Sequence, residues 1–581
     1  MFLKLIKKLN HHSTILTRRQ TSIFSAATII MFMIVAARIL GLVRNRVLAH
    51  FFDAETLSVY FAAFRLPDII LEVLIFGTLS SAFIPVFTTY ISKRNLRQAW
   101  HVASICLNFA LIFFLILALI IFLLARPIYG LIAPGYSAAE LDQIVRLARI
   151  LLLVQGFFVV SYFITAVLES LRRFVASALA PLFYNLGIIL GTIIFAPSLG
   201  IYAPVMGAVL GASMHLLVQL PVAISLGFSW RRQFNFRDPG VRKVTKLAAP
   251  RILELSLVQL SKSAELFLAS LISTAAFTYF TFANSLQLLP IGLFGISMAK
   301  ASLPTMAIQS AQGKKEELAK TFTSLFGQML FLILPFSFFL AILRIPVIRL
   351  VFGASQFDWL ATVQTGYALT AFCLGLSAQA LVYLINRTFY ALQDTWTPVK
   401  ISILTVFVNV TLGGIFVLGF QLPVWSLALA FSLASIFQFS LLLFLLTKHL
   451  PELSRSRLIS KFVRLFLLSS SSGGLMFFLL KIMDRSVWSK QLSFLRYVGL
   501  RIPIDFVHFV LDTRYTFNLI LLTIFVGAVG LIFYLFLSYL FKVEELALLS
   551  KLLIRMKKLE LIKPKIPQDK ESLTFSQEET G

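Results

Sequence analysis

From residue 24 almost to the end of the chain, long apolar runs alternate with short polar connections. A hydrocarbon core of roughly 30 Å takes about 20 apolar residues in helical form. On that ruler the runs fall near 24–50, 57–91, 102–125, 144–170, 175–196, 201–228, 247–273, 278–308, 321–345, 361–391, 399–420, 424–447, 461–482 and 516–541. The pattern predicts an all-α polytopic membrane protein with about fourteen transmembrane helices. The first run follows a basic segment, but it is too long for a signal-peptide core and lacks a small-residue cleavage site, so it is expected to remain as a helix.

The cations sharpen the topology. They gather in alternate connections, at Lys4 to Arg19, Lys93 to Arg97, Arg172 and Arg173, Arg231 to Lys243, Lys314 to Lys320, Lys448 to Arg457, and Lys551 to Lys558. Short loops on the cytoplasmic side carry such an excess, so both termini are predicted to be cytoplasmic, as an even number of spans demands. The connection 483–515 departs from the pattern: it is an outside loop with Arg485, Lys490, Arg496, Arg501 and Arg514, long enough for an interfacial helix. All six Trp residues fall at span ends or in loops, where an amphipathic ring sits best. The domain organisation expected is a basic N-terminus (1–23), a first six-helix lobe (24–228), a basic linker (229–246), a second lobe (247–447), a final helix pair (448–541) and a cytoplasmic tail (542–581). Past Lys563 that tail is polar, with Pro564 and Pro567, and is expected to be disordered.

Composition agrees with this architecture. Hydrophobic residues make up 59% of the 581 and charged residues 13%, and 58 Phe outnumber the 52 Lys and Arg, against about a quarter charged in ordinary soluble domains. The net charge of +27 then marks topology and attraction to anionic lipid. No soluble basic domain is left to bind nucleic acid. Cys106 and Cys373 lie inside apolar runs and offer neither a disulfide framework nor a thiolate metal site.

The two lobes are expected to be copies. Residues 60–85, YFAAFRLPDIILEVLIFGTLSSAFIP, match residues 279–304, YFTFANSLQLLPIGLFGISMAKASLP. Tyr60 pairs with Tyr279, Gly77 with Gly295 and Pro85 with Pro304, at offsets of 219, 218 and 219, and Gly135 with Gly353 at 218. The second span lies over the eighth, an even shift, so both copies share one orientation. Such repeats commonly enclose a substrate site and rock against each other. Pro67, Gly77, Pro290 and Gly295 are candidate bends within the paired spans, and Gly41 within the first. Gly187-x-x-x-Gly191 and Gly207-x-x-x-Gly211 would let the fifth and sixth spans pack closely.

Ionisable groups at mid-bilayer are costly and are functional candidates by default. In the first span Arg38 and Arg44 are six residues apart, about 240° around a regular helix, so a bend near Gly41 would be needed to aim both at one cavity. Their planar forks suit phosphate, whereas Arg46 is placed to snorkel to the interface. In the second span Arg65, Asp68 and Glu72 form one stripe that could pair internally or meet substrate. In the seventh span, Arg251 with Glu254 and Lys262 with Glu265 are i, i+3 pairs, for which internal neutralisation is the default. Four such groups in one span nonetheless suggest a wet surface. Arg387, near the end of the tenth span, either binds a headgroup or snorkels. Asn185, His215, Gln219, Asn284, Gln287, Asn409 and Gln438 are expected to hydrogen-bond between helices. The chain has no P-loop for ATP hydrolysis. Asp505, His508 and Asp512 share a helical stripe but lack further metal ligands, so a solvated face is expected there.

These residues also carry a family likeness. The stretch from Arg38 to Arg44, then Ala63-Phe-Arg65-Leu-Pro67, Gly77 to Pro85, Ala249-Pro250 with Ser256 and Gln259, Leu286 to Pro290, and Phe389-Tyr390-Ala-Leu-Gln-Asp394-Thr-Trp-Thr397-Pro398 resemble the MviN/MurJ family of lipid II flippases over about 24–450. That family lies in the superfamily of multidrug and polysaccharide exporters. The resemblance implies fourteen helices in two lobes, cytoplasmic termini in the bacterial inner membrane, and transfer of the undecaprenyl-diphosphate-linked peptidoglycan precursor to the outer leaflet. It implies further that Arg38 and Arg44 face a central cavity and contact the diphosphate, and that the last two helices form a groove for the lipid tail. Three positions depart from the family pattern: Ser58 stands where Asp is usual, and Leu71 and Ser285 where Arg is usual. Arg251, Lys262 and Arg387 are candidates to replace the missing positive charge.

The function expected is a transporter, not an enzyme, that flips lipid II for cell-wall biosynthesis. It would need no cofactor, and membrane potential or an ion gradient would drive it. The expected partners are the lipid-linked glycan, membrane lipids and the cell-wall synthesis machinery. Alternatives are an exporter of another polyprenyl-linked glycan or of drugs, and a transport-inactive scaffold, which the three lost charges would favour. A membrane-bound glycan enzyme ranks last, because the outside loops lack a convergent acid pair.

Overall fold

A computed structural model describes residues 23–76, 82–93, 95–228, 230–235, 237–484 and 511–547. Outside them lie the basic N-terminal segment, Gly77, residues 485–510 of the connection 483–515 in which an interfacial helix is expected, with Trp488, Asp505 and His508, and the tail beyond Lys563; the side chains of Arg251 and Glu254 are likewise not described.

The apolar runs form helices in the expected order. The first half contains α1 (Ile23–Phe51), α2 (Ala54–Leu71), α3 (Ile84–Ser92), α4 (Leu96–Ile132), α5 (Ala138–Ser170), α6 (Phe174–Leu199) and α7 (Tyr202–Ser225). The second contains α8 (Pro239–Ile272), α9 (Ala276–Pro290), α10 (Ser297–Ala311), α11 (Lys315–Ile342), the short α12 (Arg344–Val351), α13 (Trp359–Ala391), α14 (Trp396–Gly414) and α15 (Trp425–His449). Two appended helices follow, α16 (Arg455–Met483) and α17 (Thr516–Leu540). Among the described residues twelve helices are long and apolar enough to cross a membrane. Before those twelve come α1, with Arg38, Arg44 and Arg46, and the α2–α3 stretch, with Arg65, Asp68 and Glu72. Together they account for the fourteen apolar runs.

Local chemistry explains the boundaries. Asp53, Asn95, Ser137, Asp358 and Ser454 each accept a hydrogen bond from a backbone N–H in the first turn of the helix that follows, satisfying donors that the helix itself leaves unpaired. Ser137 and Glu140 complete a capping box. Trp359, Trp396 and Trp425 are the first residues of α13, α14 and α15. On α4, Leu115, Leu119 and Leu123 are 62%, 59% and 63% exposed; at this spacing they form one apolar stripe, which suits contact with lipid rather than water.

Packing repeats along with the sequence. In the first half α1 packs on α6, α2 and α4 on α5, and α7 on both α5 and α6. In the second half α8 packs on α14, α9 and α11 on α13, and α15 on both α13 and α14, the same pairings six passes later. The winding repeats as well. The two repeat-related helices each loosen into π-helical turns, at Glu72–Phe76 after Pro67 in α2 and at Ile291–Ile296 after Pro290 in α9. Proline lacks the N–H for the preceding turn, and a π turn is one way for a helix to absorb that loss.

The glycine pairs explain the tightest contact. A Cβ on Gly187 would lie 2.3 Å from the Cα of Gly211, and one on Gly191 would lie 2.4 Å from the Cα of Gly207. The backbones of α6 and α7 therefore touch where the G-x-x-x-G spacing predicts.

One set of contacts between the halves lies at one end of the bundle. There Thr278 donates to the carbonyl of Ala54 at 2.7 Å, the amide of Gly135 donates to Ser270 at 3.2 Å, and the rings of Phe282 and Phe352 stack at 4.3 Å beside Phe61. At the opposite end the linker is pinned to α4: Trp230 donates to Asn108, and Asn108 donates to the carbonyls of Arg231 and Gln233.

Candidate functional site

The intramembrane charges of α2 and α8 face each other across the two halves. The Arg65 guanidinium donates to the side-chain oxygen and backbone carbonyl of Gln259 and to the hydroxyl of Ser263 at 3.3 Å. Gln259 in turn donates to Glu72, and Lys262 Nζ bridges the same carboxylate at 2.7 and 3.0 Å. Asp68 turns back into the first half, accepting from Gln155 of α5 at 2.8 Å. Glu265 turns the other way, accepting from Asn409 of α14 at 3.4 Å, while Asn409 also donates to Ser261. The result is a polar seam from α5 through α2 and α8 to α14.

Two of the sequence expectations are corrected here. The Arg65, Asp68 and Glu72 stripe finds its hydrogen-bond partners on other helices, not within itself, and Lys262 pairs with Glu72 instead of with Glu265. The reason is the facing helix: α8 brings polar groups to the stripe, so each charge gains an oriented partner. An i, i+3 pair in isolation contributes only about 0.2–0.5 kcal/mol, whereas a charge left unpaired at mid-bilayer costs about 2.5–3.5 kcal/mol on insertion scales.

The remaining cations sit apart from this seam. Arg44 is half-buried and donates to Asn185 of α6 at 3.1 Å and to its neighbour Asn45 at 3.0 and 3.2 Å. Arg38, two turns earlier on α1, is exposed. It and Arg387, one from each half, are both close enough to Tyr383 on α13 for their charge to act on its phenol. Arg387 also lies over the ring of Tyr390, 5.6 Å from its centroid. Helix α1 is continuous through Gly41, and Arg38 and Arg44 take separate surroundings. Arg46 is exposed and donates to the carbonyl of Leu350 at 2.7 Å. Gly295, within the second π segment, meets α13 closely: its Cβ would lie 3.1 Å from that of Ala380.

The positions that depart from the family pattern are quiet. Ser58 is buried at 2.5 Å from the Tyr136 hydroxyl, Leu71 belongs to the core, and Ser285 donates to its own helix at Phe282. Most of the neutral polar residues do bridge helices: His215 with Ser161, Gln219 with Thr165, Gln438 with Ser402, and Gln287 with Gln379. Asn284 instead accepts from Gln287 on its own helix. Gln155 was not singled out by its sequence; its only signal is that of a lone amide in the apolar run of α5.

Comparison with known proteins places this arrangement. Residues 47–499 match the family model described as lipid II flippase MurJ. A relative from Vibrio cholerae serotype O1 named "Probable lipid II flippase MurJ" is 28% identical over 411 residues, covering 68% of this chain and 77% of that one. One from Rhizobium meliloti, bearing the same name, is 29% identical over 392 residues, 65% of this chain and 72% of the relative. Among solved structures, one titled "Lipid II flippase MurJ, inward closed conformation" superposes with a TM-score of 0.69 at 22% identity, covering 88% of this chain and 98% of that one. An inward-facing multidrug resistance transporter of the MATE family, in the MOP superfamily, gives 0.59 at 18% identity, over 72% of this chain and 95% of that one. Both structural matches speak to the fold.

Proposed function

The chain belongs to the lipid II flippase MurJ family, a family of transporters and not of enzymes, and we propose that it moves lipid II from the inner to the outer leaflet by alternating access. The observation that carries this reading is the charged seam between two repeated halves. Arg65, Glu72, Gln259 and Lys262 join α2 to α8 through polar contacts, and such contacts can exchange one set of partners for another when the halves rock.

In this reading both termini are cytoplasmic, and the contacts around Ala54, Gly135 and Leu350 close the outer end. Arg38 and Arg44 are the diphosphate-binding cations. Arg38 is the more available of the two, being exposed, while Arg44 is held in place by Asn185. Arg387 joins Arg38 beside Tyr383 and supplies positive charge that Leu71 and Ser285 do not. Each planar guanidinium fork donates to two phosphate oxygens, and the isoprenyl tail stays in lipid. Substrate shifts the conformational equilibrium only if it binds the two states unequally. Arginines contributed by both halves meet that condition, because rocking changes their separation. Membrane potential or an ion gradient drives the return.

Complementation tests the proposal. Cells depleted of their own flippase should grow and display outer-leaflet precursor when they express this chain. The variants Arg38→Gln and Arg44→Gln should fail at normal membrane abundance, and full rescue by both would refute the assignment of these arginines.

A further inference from the structure

A second cationic chamber lies away from the seam, at the end of the bundle where the halves touch. A cavity of 990 Å³ is walled by Arg46 of α1, Arg344 and Arg349 of α12, and Lys481 of α16. Phe477, Leu480 and Leu519 of the appended helices supply an apolar wall. Five cationic side chains line it against three carboxylates, an excess of two positive charges, and each carboxylate already has a partner. Asp512 holds Arg514 at 2.7 Å, Asp358 caps α13 through the amide of Ala361, and Asp484 accepts from Thr513.

Among the described residues, the four other cations are held by carbonyls and a ring. Arg46 and Arg349 donate to the backbone carbonyls of Leu350 and Thr513, and Arg344 donates to that of Ala341. The Lys481 ammonium sits 5.6 Å from the Phe477 ring centroid. The Nε of Arg344 is buried without a hydrogen-bond partner among the described residues. Carbonyls and rings orient a guanidinium but leave its full charge in place. Three oriented forks and an ammonium beside an apolar wall match a tetrahedral oxyanion attached to a hydrocarbon chain.

We propose that this chamber is a second binding site, for the phosphate-bearing head of a lipid, formed jointly by α1, α12 and the appended helix pair. The transport reading supplies its place on the outer side, where a substrate diphosphate would be held before release. The binding itself does not depend on that reading, so the two ideas fail separately.

The test uses full-length protein in detergent, titrated with undecaprenyl diphosphate and, separately, with phosphatidylglycerol and read by native mass spectrometry. In an Arg38→Gln/Arg44→Gln background, undecaprenyl diphosphate should still bind, and adding Arg344→Gln/Arg349→Gln should weaken it at least tenfold. The charge-conserving Arg344→Lys/Arg349→Lys should weaken it less. An equal affinity for phosphatidylglycerol identifies the ligand as bulk anionic lipid, and a preference of tenfold or more for the diphosphate identifies the substrate; either outcome supports the site. Wild-type affinity in the Gln variant, including the case where only its melting temperature falls, overturns the proposal by reducing the arginines to struts. Should the variants not fold, a photoactivatable undecaprenyl diphosphate on the wild-type chain should label residues 342–349 or 477–481, and labelling confined to other segments overturns it equally.

Discussion

At the level of single residues, the charges of α2 and α8 were legible as exceptional but not as partners. Their depth in apolar runs marks them, yet nothing in a linear pattern says that Lys262 reaches Glu72 across the halves at 2.7 Å. Pairing by spacing along one helix was the wrong geometry, because oriented partners on a facing helix outweigh a weak i, i+3 contact. The pair predicts coupling. Glu72→Gln and Lys262→Gln should each lower thermal stability in detergent, and the double variant should lose less than the sum, with a coupling on the order of 1 kcal/mol. Additive losses would show that the bridge contributes nothing of its own. Arg44 predicts a different split. Arg44→Lys should retain part of transport and Arg44→Gln almost none, since Lys keeps the charge but loses the fork.

Among elements, the helices were readable almost throughout, since apolar run length, alternating cationic connections and end-placed Trp all point the same way. The family stretch from Tyr390 to Pro398 gains a plain structural meaning. Gln393 has a φ of 63°, and Asp394 accepts from the amides of Trp396 and Thr397 at 3.0 Å, so the motif turns the chain between α13 and α14 and caps the latter. Asp394→Ala should therefore cost about 1 kcal/mol, checked by thermal melting with Asp394→Asn as the conservative control. The π segments were not legible: the prolines announced a disturbance but not its form. The α6–α7 contact permits a sharper contrast. Gly187→Leu drives a side chain into the Gly211 backbone 2.3 Å away and should cost at least about 1–3 kcal/mol, the usual range for overpacking. Gly130→Ala on α4, with nothing within 4 Å of its Cβ position, should be nearly neutral.

For the molecule as a whole, the offset of 218 to 219 residues in sequence reappears as helix pairings repeated six passes on. This was legible because duplication leaves its mark on glycine and proline positions that backbone geometry holds fixed. Which residues join the halves was not, because each contact pairs positions far apart in the chain, as with Thr278 and the carbonyl of Ala54. Joining Ala54→Cys to Thr278→Cys with a cleavable thiol reagent, in a Cys106→Ala/Cys373→Ala background, should stop transport, and cleaving the linker should restore it. The most direct test of the account is transbilayer movement itself. Purified protein is reconstituted in vesicles with fluorescent lipid II, and the fraction reached by a membrane-impermeant quencher is followed over time. The account predicts that the wild-type chain exposes the inner pool while Arg38→Gln/Arg44→Gln leaves it protected; equal exposure by both, or by neither above protein-free vesicles, would contradict it.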